Sequence, residues 1–208
     1  MKIIFATGNK GKLREAQEIL GPGYELATPA DFGIFEDIEE TGETLKENSL
    51  IKAQYLWDRT HLPCFADDTG LEVDALGGAP GVHTARYAAL VAESEGLSTE
   101  GKDHDFAANM DTLLAKLAQK GPDTPRTARF HSVVTLIVDG EPHYFDGVLE
   151  GSIAHEKAGC GGFGYDPVFV DCEYPDRTVA EIPEETKNAI SHRGKALRAM
   201  AAYLKENE

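Results

Sequence analysis

The sequence predicts an α/β protein in which helices pack around a mixed β-sheet. Short apolar runs of strand length alternate with segments of helical periodicity, in the order strand, helix, helix, strands, helix, hairpin, helix. The 208 residues, 41% hydrophobic and 27% charged, suit one large domain or two small lobes that bury roughly 70% of the unfolded surface. No internal repeat, low-complexity tract or linker divides the chain, so residues 1–208 are expected to form one domain.

Residues 2–6 are a short apolar run that Thr7-Gly8-Asn9 ends, and Leu13, Ala16 and Leu20 then recur at helical spacing until Gly21-Pro22-Gly23 stops them. A second helix is expected from Thr44 to about Trp57. Leu50, Ala53 and Trp57 share a face there, and Thr44 and Glu47 have capping-box spacing. Pro63-Cys64-Phe65-Ala66 reads as a buried strand ending in Asp67-Asp68-Thr69-Gly70, with Leu71, Val73 and Ala75 alternating beyond it. The next helix should start between Asp103 and Asp105, because Phe106, Met110, Leu113, Leu114 and Leu117 follow at helical intervals. Ala128 to Val138 and His143 to Ile153 are expected as a hairpin around Asp139-Gly140-Glu141-Pro142. The last helix should begin near Ser191 and carry Leu197, Met200, Ala201 and Leu204 on one face.

Charge narrows the function classes. Twenty Lys and Arg against 36 Asp and Glu give a net −16, so long-range attraction to nucleic acid or anionic lipid is unfavourable. A polyanionic ligand would have to be held by metal ions and local cations. The longest apolar run, Val133 to Val138, is far below the roughly 20 residues of a membrane span. Cys64, Cys160 and Cys172 are odd in number and lack a Cys-x-x-Cys pair, which argues against a disulfide framework or a structural zinc. The first residues hold too short an apolar stretch for a signal peptide, and a cytoplasmic location is expected.

Five segments carry chemistry. Thr7-Gly8-Asn9-Lys10-Gly11-Lys12 lies at a strand-to-helix turn, where amides and the helix dipole attract anions; it equally suits a tight turn with an Asn cap. It is not a P-loop, because the glycine spacing differs and no Ser or Thr follows Lys12. Glu36, Asp37, Glu39, Glu40 and Glu43 cluster in one loop, and the pair Asp67-Asp68 ends an apolar strand. Such acids suit a hard divalent cation, although an acidic loop is also an ordinary solvated surface, and a buried pair can be met by Lys or a helix start. Gly159-Cys160-Gly161-Gly162-Phe163-Gly164 matches the dinucleotide glycine pattern, yet Tyr165-Asp166-Pro167 follows where a helix would be needed. An aromatic glycine loop with a carboxylate fits a flat ligand, or simply a loop packing Phe163 into the core. Lys187, Ser191, His192 and Arg193 gather at the start of the last helix, where Arg offers a planar fork to phosphate.

Thr7-Gly8-Asn9-Lys10-Gly11-Lys12, the stretch from Ala66 to Gly81, Gly162-Phe163-Gly164-Tyr165-Asp166-Pro167 and Ser191-His192-Arg193 closely resemble the inosine/xanthosine triphosphate pyrophosphatases, in the family's order and across essentially the whole chain. The resemblance implies an elongated mixed sheet with flanking helices and two lobes around a central nucleotide cleft. It also implies a homodimer and Mg²⁺-dependent hydrolysis of ITP, dITP and XTP to the monophosphate and pyrophosphate, which keeps deaminated purines out of DNA and RNA. By motif position, Thr7, Gly8, Asn9, Lys10, Gly11 and Lys12 would bind substrate, with Thr7, Asn9 and Lys12 on the phosphates. Asp68 would take the proton from water, and Glu39 and Asp68 would hold Mg²⁺, with Glu40 the alternative beside Glu39. Thr69, Phe163, Gly164, Tyr165, Asp166, Lys187, His192 and Arg193 would contact substrate, Phe163 stacking on the base. The sequence departs from the family at Ala89, usually Gly, at Thr69, more often Ser, and in an extra stretch from Leu90 to Asp103. A septum-inhibitor-like nucleotide pyrophosphatase and a nucleotide-binding regulator without turnover are the competing readings.

Overall fold

A computed structural model of the chain describes residues 1–161 and 164–207. Its strands are β1 (Lys2–Phe5), β2 (Glu25–Ala27), β3 (Cys64–Val73), β4 (Pro80–Gly81), β5 (Thr127–Val138), β6 (Glu141–Ile153) and β7 (Phe169–Asp171). Its helices are α1 (Lys10–Leu20), α2 (Leu45–Thr60), α3 (Tyr87–Ser94), α4 (Phe106–Lys120), α5 (Glu184–Ile190) and α6 (His192–Glu206). The strands form a mixed sheet in the order β2-β1-β3-β5-β6-β7, with β4 paired to β3. Strands β2 and β3 flank β1 in parallel, Ile4 opposite Ala27 and Cys64, whereas β4 and β7 run antiparallel to β3 and β6.

Two compact units divide the chain. The first takes Met1–Thr69, His131–Val148 and Ser191–Glu208. Its strands are apolar on both faces because helices cover both, and the strand period of two sorts the side chains. Ile3, Phe5, Phe65, Val134 and Leu136 pack with Ala16 and Leu20 of α1 and with Ala196, Leu197, Met200 and Leu204 of α6. Ile4, Cys64, Ala66 and Ile137 point the other way, against Ala53 and Leu56 of α2. Phe5 and Phe65 stack at 4.3 Å between centroids. The second unit, Gly70–Phe130 with Leu149–Ile190, has its own core. There Met110, Leu113 and Leu117 of α4 meet Leu71, Val73, Phe130, Leu149 and Phe169.

Most expected elements form where the pattern put them. Thr44 caps α2 in a capping box with Glu47, Asp105 caps α4 through the Ala108 amide, and Ser191 caps α6 through the Gly194 amide. The hairpin turns on Asp139 and Gly140, both at positive φ, as a two-residue primed turn requires. Three differences matter. Strand β3 does not end at the two acids but runs through them to Val73, so Asp67, Asp68 and Thr69 alternate across the sheet. The most buried face of α2 is Leu45, Asn48, Ser49, Ala53 and Leu56, with Leu50 and Trp57 only partly covered. Helix α3 occupies part of the extra stretch after Ala89, and β2 and α5 are short elements whose periodicity is too brief to read. Among the described residues no helix is long and apolar enough to cross a membrane.

Candidate active site

Alternation along β3 decides the surroundings of its acids. Phe65, Asp67 and Thr69 face α1 and α6, while Ala66 and Asp68 face α2. Asp67 is 3% exposed and receives Lys12 Nζ on both oxygens at 3.1 and 2.9 Å and Arg193 Nε at 3.0 Å. Burial pushes its carboxyl up, but Lys12, Arg193 and Lys52 outweigh burial and hold it well below the usual carboxylate range. Glu15 of α1 accepts from Arg193 Nη1 at 3.4 Å and from Ser191 Oγ at 3.3 Å, tying the start of α6 to α1. Thr69 Oγ1 donates to Ser132 Oγ at 2.9 Å on the same face.

Asp68 has the opposite fate. Burial pushes it up to about 6 despite Lys52, with Glu40 adding to the rise. Its Oδ1 accepts from the Thr69 amide and lies 3.6 Å from Lys52 Nζ, the Asn48 side chain also lowers its pKa, and among the described residues buried Oδ2 has no hydrogen-bond partner. Lys52 Nζ also sits 2.5 Å from Glu40 Oε1. Burial lowers the Lys52 pKa, but Asp68, Asp67 and Glu40 outweigh it and the ammonium is held above its ordinary value. The acidic loop is fixed beside it because the Gly42 amide donates to buried Asn48 Oδ1 at 2.8 Å and the Glu43 amide to Glu47 Oε2. Gly42 is required, since a Cβ there would lie 2.7 Å from both Asn48 and Glu47. Both metal candidates in that loop, Glu39 and Glu40, are exposed, and Glu40 is the one held in this cluster by Lys52.

A buried carboxylate oxygen lacking a donor is what a cation would satisfy, so the residues present fit a divalent ion. Among the described residues no three His, Cys, Asp or Glu side chains are arranged to hold a metal. That suits an ion taking one or two carboxylates and completing its shell with water and substrate phosphates.

At the first turn of α1, Asn9 Oδ1 accepts from the Gly11 and Lys12 amides at 2.8 and 3.1 Å, and the Asn9 amide donates to Thr7 Oγ1 at 3.1 Å. The cap therefore occupies two of the amides expected to be open to an anion, and the charge at this turn comes from Lys12 and exposed Lys10. Gly8 has open space where a Cβ would stand. The start of α6 lies so close to β6 that a Cβ on Gly147 would lie 1.9 Å from the His192 carbonyl oxygen.

The second unit holds the remaining candidates. Asp166, 6% exposed, pairs with Lys187 Nζ of α5. Tyr165 is buried and its hydroxyl donates to the Thr84 carbonyl at 2.9 Å. Gly164 takes a positive φ, and Gly159 and Gly161 lie against Ala180, where side chains would clash. Phe163 and Gly162 lie outside the described residues.

The Ham1 family model matches residues 3–203. The chain belongs to the Ham1 family. Among relatives, the dITP/XTP pyrophosphatase of Porphyromonas gingivalis is 46% identical over 203 residues, covering 98% of this chain and 97% of that one. The dITP/XTP pyrophosphatase of Yersinia pestis is 43% identical over 209 residues, covering 99% and 98%. The solved structure of a HAM1 protein from Coxiella burnetii superposes with a TM-score of 0.88 at 40% identity, covering 99% of each chain. Lys52, Glu15, Gly42 and Gly147 are the residues that sequence reasoning missed in this Ham1 chain. The available signal for Lys52 was its i,i+4 spacing from Asn48, which puts it on the side of α2 that carries the buried polar residues Asn48 and Ser49.

Proposed function

We propose that the protein hydrolyses non-standard purine nucleoside triphosphates, ITP, dITP and XTP, at the α–β phosphoanhydride, giving the monophosphate and pyrophosphate. One observation carries the chemistry: adjacent acids on opposite faces of β3, one locked ionised by Lys12 and Arg193, the other pushed up to about 6. Neighbouring titratable groups driven apart in this way mark a charged structural acid and a proton acceptor poised near neutral pH. The names of the relatives, dITP/XTP pyrophosphatase, supply the substrate class.

In this reading Lys12 and Arg193, braced by Asp67 and Glu15, hold the anionic phosphates with Thr7, Asn9 and Lys10. Asp68 accepts a proton from the attacking water, whose oxygen bonds to the α-phosphorus while the electron pair of the broken P–O bond leaves with pyrophosphate. Lys52 balances the charge of Asp68 and Glu40. Asp68, with Glu40 or Glu39, would hold Mg²⁺, which when bound neutralises phosphate charge and acidifies water. Thr69, Gly8, Gly11 and His192 belong to the phosphate end; Phe163, Gly164, Tyr165, Asp166 and Lys187 serve the base. A 6-oxopurine presents an acceptor beside an N1–H donor, and the Lys187–Asp166 pair offers a donor beside an acceptor. Adenine presents the reverse pattern and leaves both groups unmatched. We assign the working form as a cytoplasmic homodimer acting on free nucleotide rather than nucleic acid, in keeping with the net charge of −16.

Product identity tests the bond cleaved. With ITP and Mg²⁺, phosphorus NMR is expected to show inosine monophosphate and pyrophosphate rising together. Appearance of the diphosphate and orthophosphate instead would place attack at the terminal phosphorus and contradict the proposal.

A further inference from the structure

Tyr165 is the largest fully buried side chain among the described residues, 1% exposed, and so is poorly placed to touch a ligand directly. Its polar atoms are committed at both ends. The hydroxyl donates to the Thr84 carbonyl at 2.9 Å, and the Tyr165 carbonyl accepts from the Val168 and Phe169 amides at 2.9 and 3.1 Å. The short turn that receives the hydroxyl is itself pinned from two sides. Thr84 Oγ1 donates to the Gly81 carbonyl at 2.6 Å and accepts from the Leu71 amide of β3 at 2.8 Å. Asn109, 0% exposed on α4, donates to the Ala85 carbonyl at 2.9 Å and accepts from the Ala88 amide at 2.7 Å. Asp166 follows Tyr165 directly and holds Lys187.

We propose that Tyr165 is a positioning residue for base discrimination: through Thr84 and Asn109 it fixes the Asp166–Lys187 pair relative to β3 and α4. This inference rests on the proposed reading of that pair as the base-edge contact. A pocket rejects the wrong hydrogen-bond pattern only if its donor and acceptor cannot move to relieve the mismatch. Removing the phenol hydroxyl frees one end of the strut and leaves the ring packed, so the pair gains freedom without losing its chemistry.

The test compares kcat/KM for ITP and ATP in the wild type and in Tyr165→Phe, with Leu113→Val as a control that loosens the same core without touching the strut. The inference predicts that Tyr165→Phe lowers the ITP-over-ATP ratio by roughly tenfold, the equivalent of one net hydrogen bond. The change should come mainly from faster ATP turnover, and the control should lower Tm while keeping the wild-type ratio. A wild type that discriminates alongside a Tyr165→Phe variant with an unchanged ratio overturns the inference alone, as does a control that shifts the ratio equally. A wild type with equal rates on ITP and ATP overturns the proposed function and the inference with it.

Discussion

Asp67 and Asp68 occupy consecutive positions of one strand, and the pleat alone gives them different neighbours. Asp67 meets the cations at the starts of α1 and α6, and Asp68 meets Lys52, the Asn48 side chain and Glu40, with no donor on Oδ2 among the described residues. Asp68→Asn should therefore retain the fold and cost roughly three orders of magnitude in kcat, within the range for loss of a general base. The sign of its effect on stability follows from the pKa. A carboxyl raised from 3.8 to about 6 in the folded state stabilises the fold while protonated and loses that contribution as pH rises through 6. In metal-free protein well above pH 6, thermal unfolding of Asp68→Asn is expected at the wild-type temperature or higher, with any gap closing as the pH falls. Near-wild-type turnover in this variant would remove Asp68 from the role of base. The candidate acids themselves were legible in the sequence, because two acids after Phe65-Ala66 need partners. The partners were not: Lys52 is sixteen positions before Asp68, and only tertiary packing of α2 on the sheet brings them together.

At the scale of elements, the site depends on how closely α6 approaches β6. Gly147 is a strand glycine whose missing side chain admits the His192 carbonyl and the Ala196 amide. Gly147→Ala must move the first turn of α6, and with it Arg193 and its bonds to Asp67 and Glu15. Overpacking of this kind costs about 1–3 kcal/mol, and the displacement is expected to raise KM for the triphosphate more than it lowers kcat. A variant with lowered Tm but unchanged KM would show that α6 can shift without disturbing the cations. Helices α1, α2, α4 and α6 were legible because each combines a cap with helical periodicity. Strand β3 was misjudged at its end because polar residues inside a buried strand look like a loop until their partners are known. Gly147 and Gly42 give no local signal at all, since the atoms that exclude a Cβ come from other elements or from beyond the next turn.

For the whole molecule, the acidic net charge and the few cations of the candidate site pull in opposite directions. A chain at −16 repels a triphosphate at long range, so in the proposed reading binding rests on Lys12 and Arg193 at contact distance, helped by a divalent cation. The fold class was legible from the order of elements; the boundary between the two units was not, because β3, β5 and β6 contribute residues to both and no linker marks it. The measurement that bears most directly on the account is kcat/KM for ITP, dITP, XTP, GTP and ATP with Mg²⁺, after chelation, and after Mg²⁺ is restored. The account predicts fast release of pyrophosphate from ITP, dITP and XTP, at least about a hundredfold above ATP as a hydrogen-bond-reading pocket allows, abolished by chelation and recovered with Mg²⁺. Equal rates on all five nucleotides, or turnover indifferent to chelation, would contradict it.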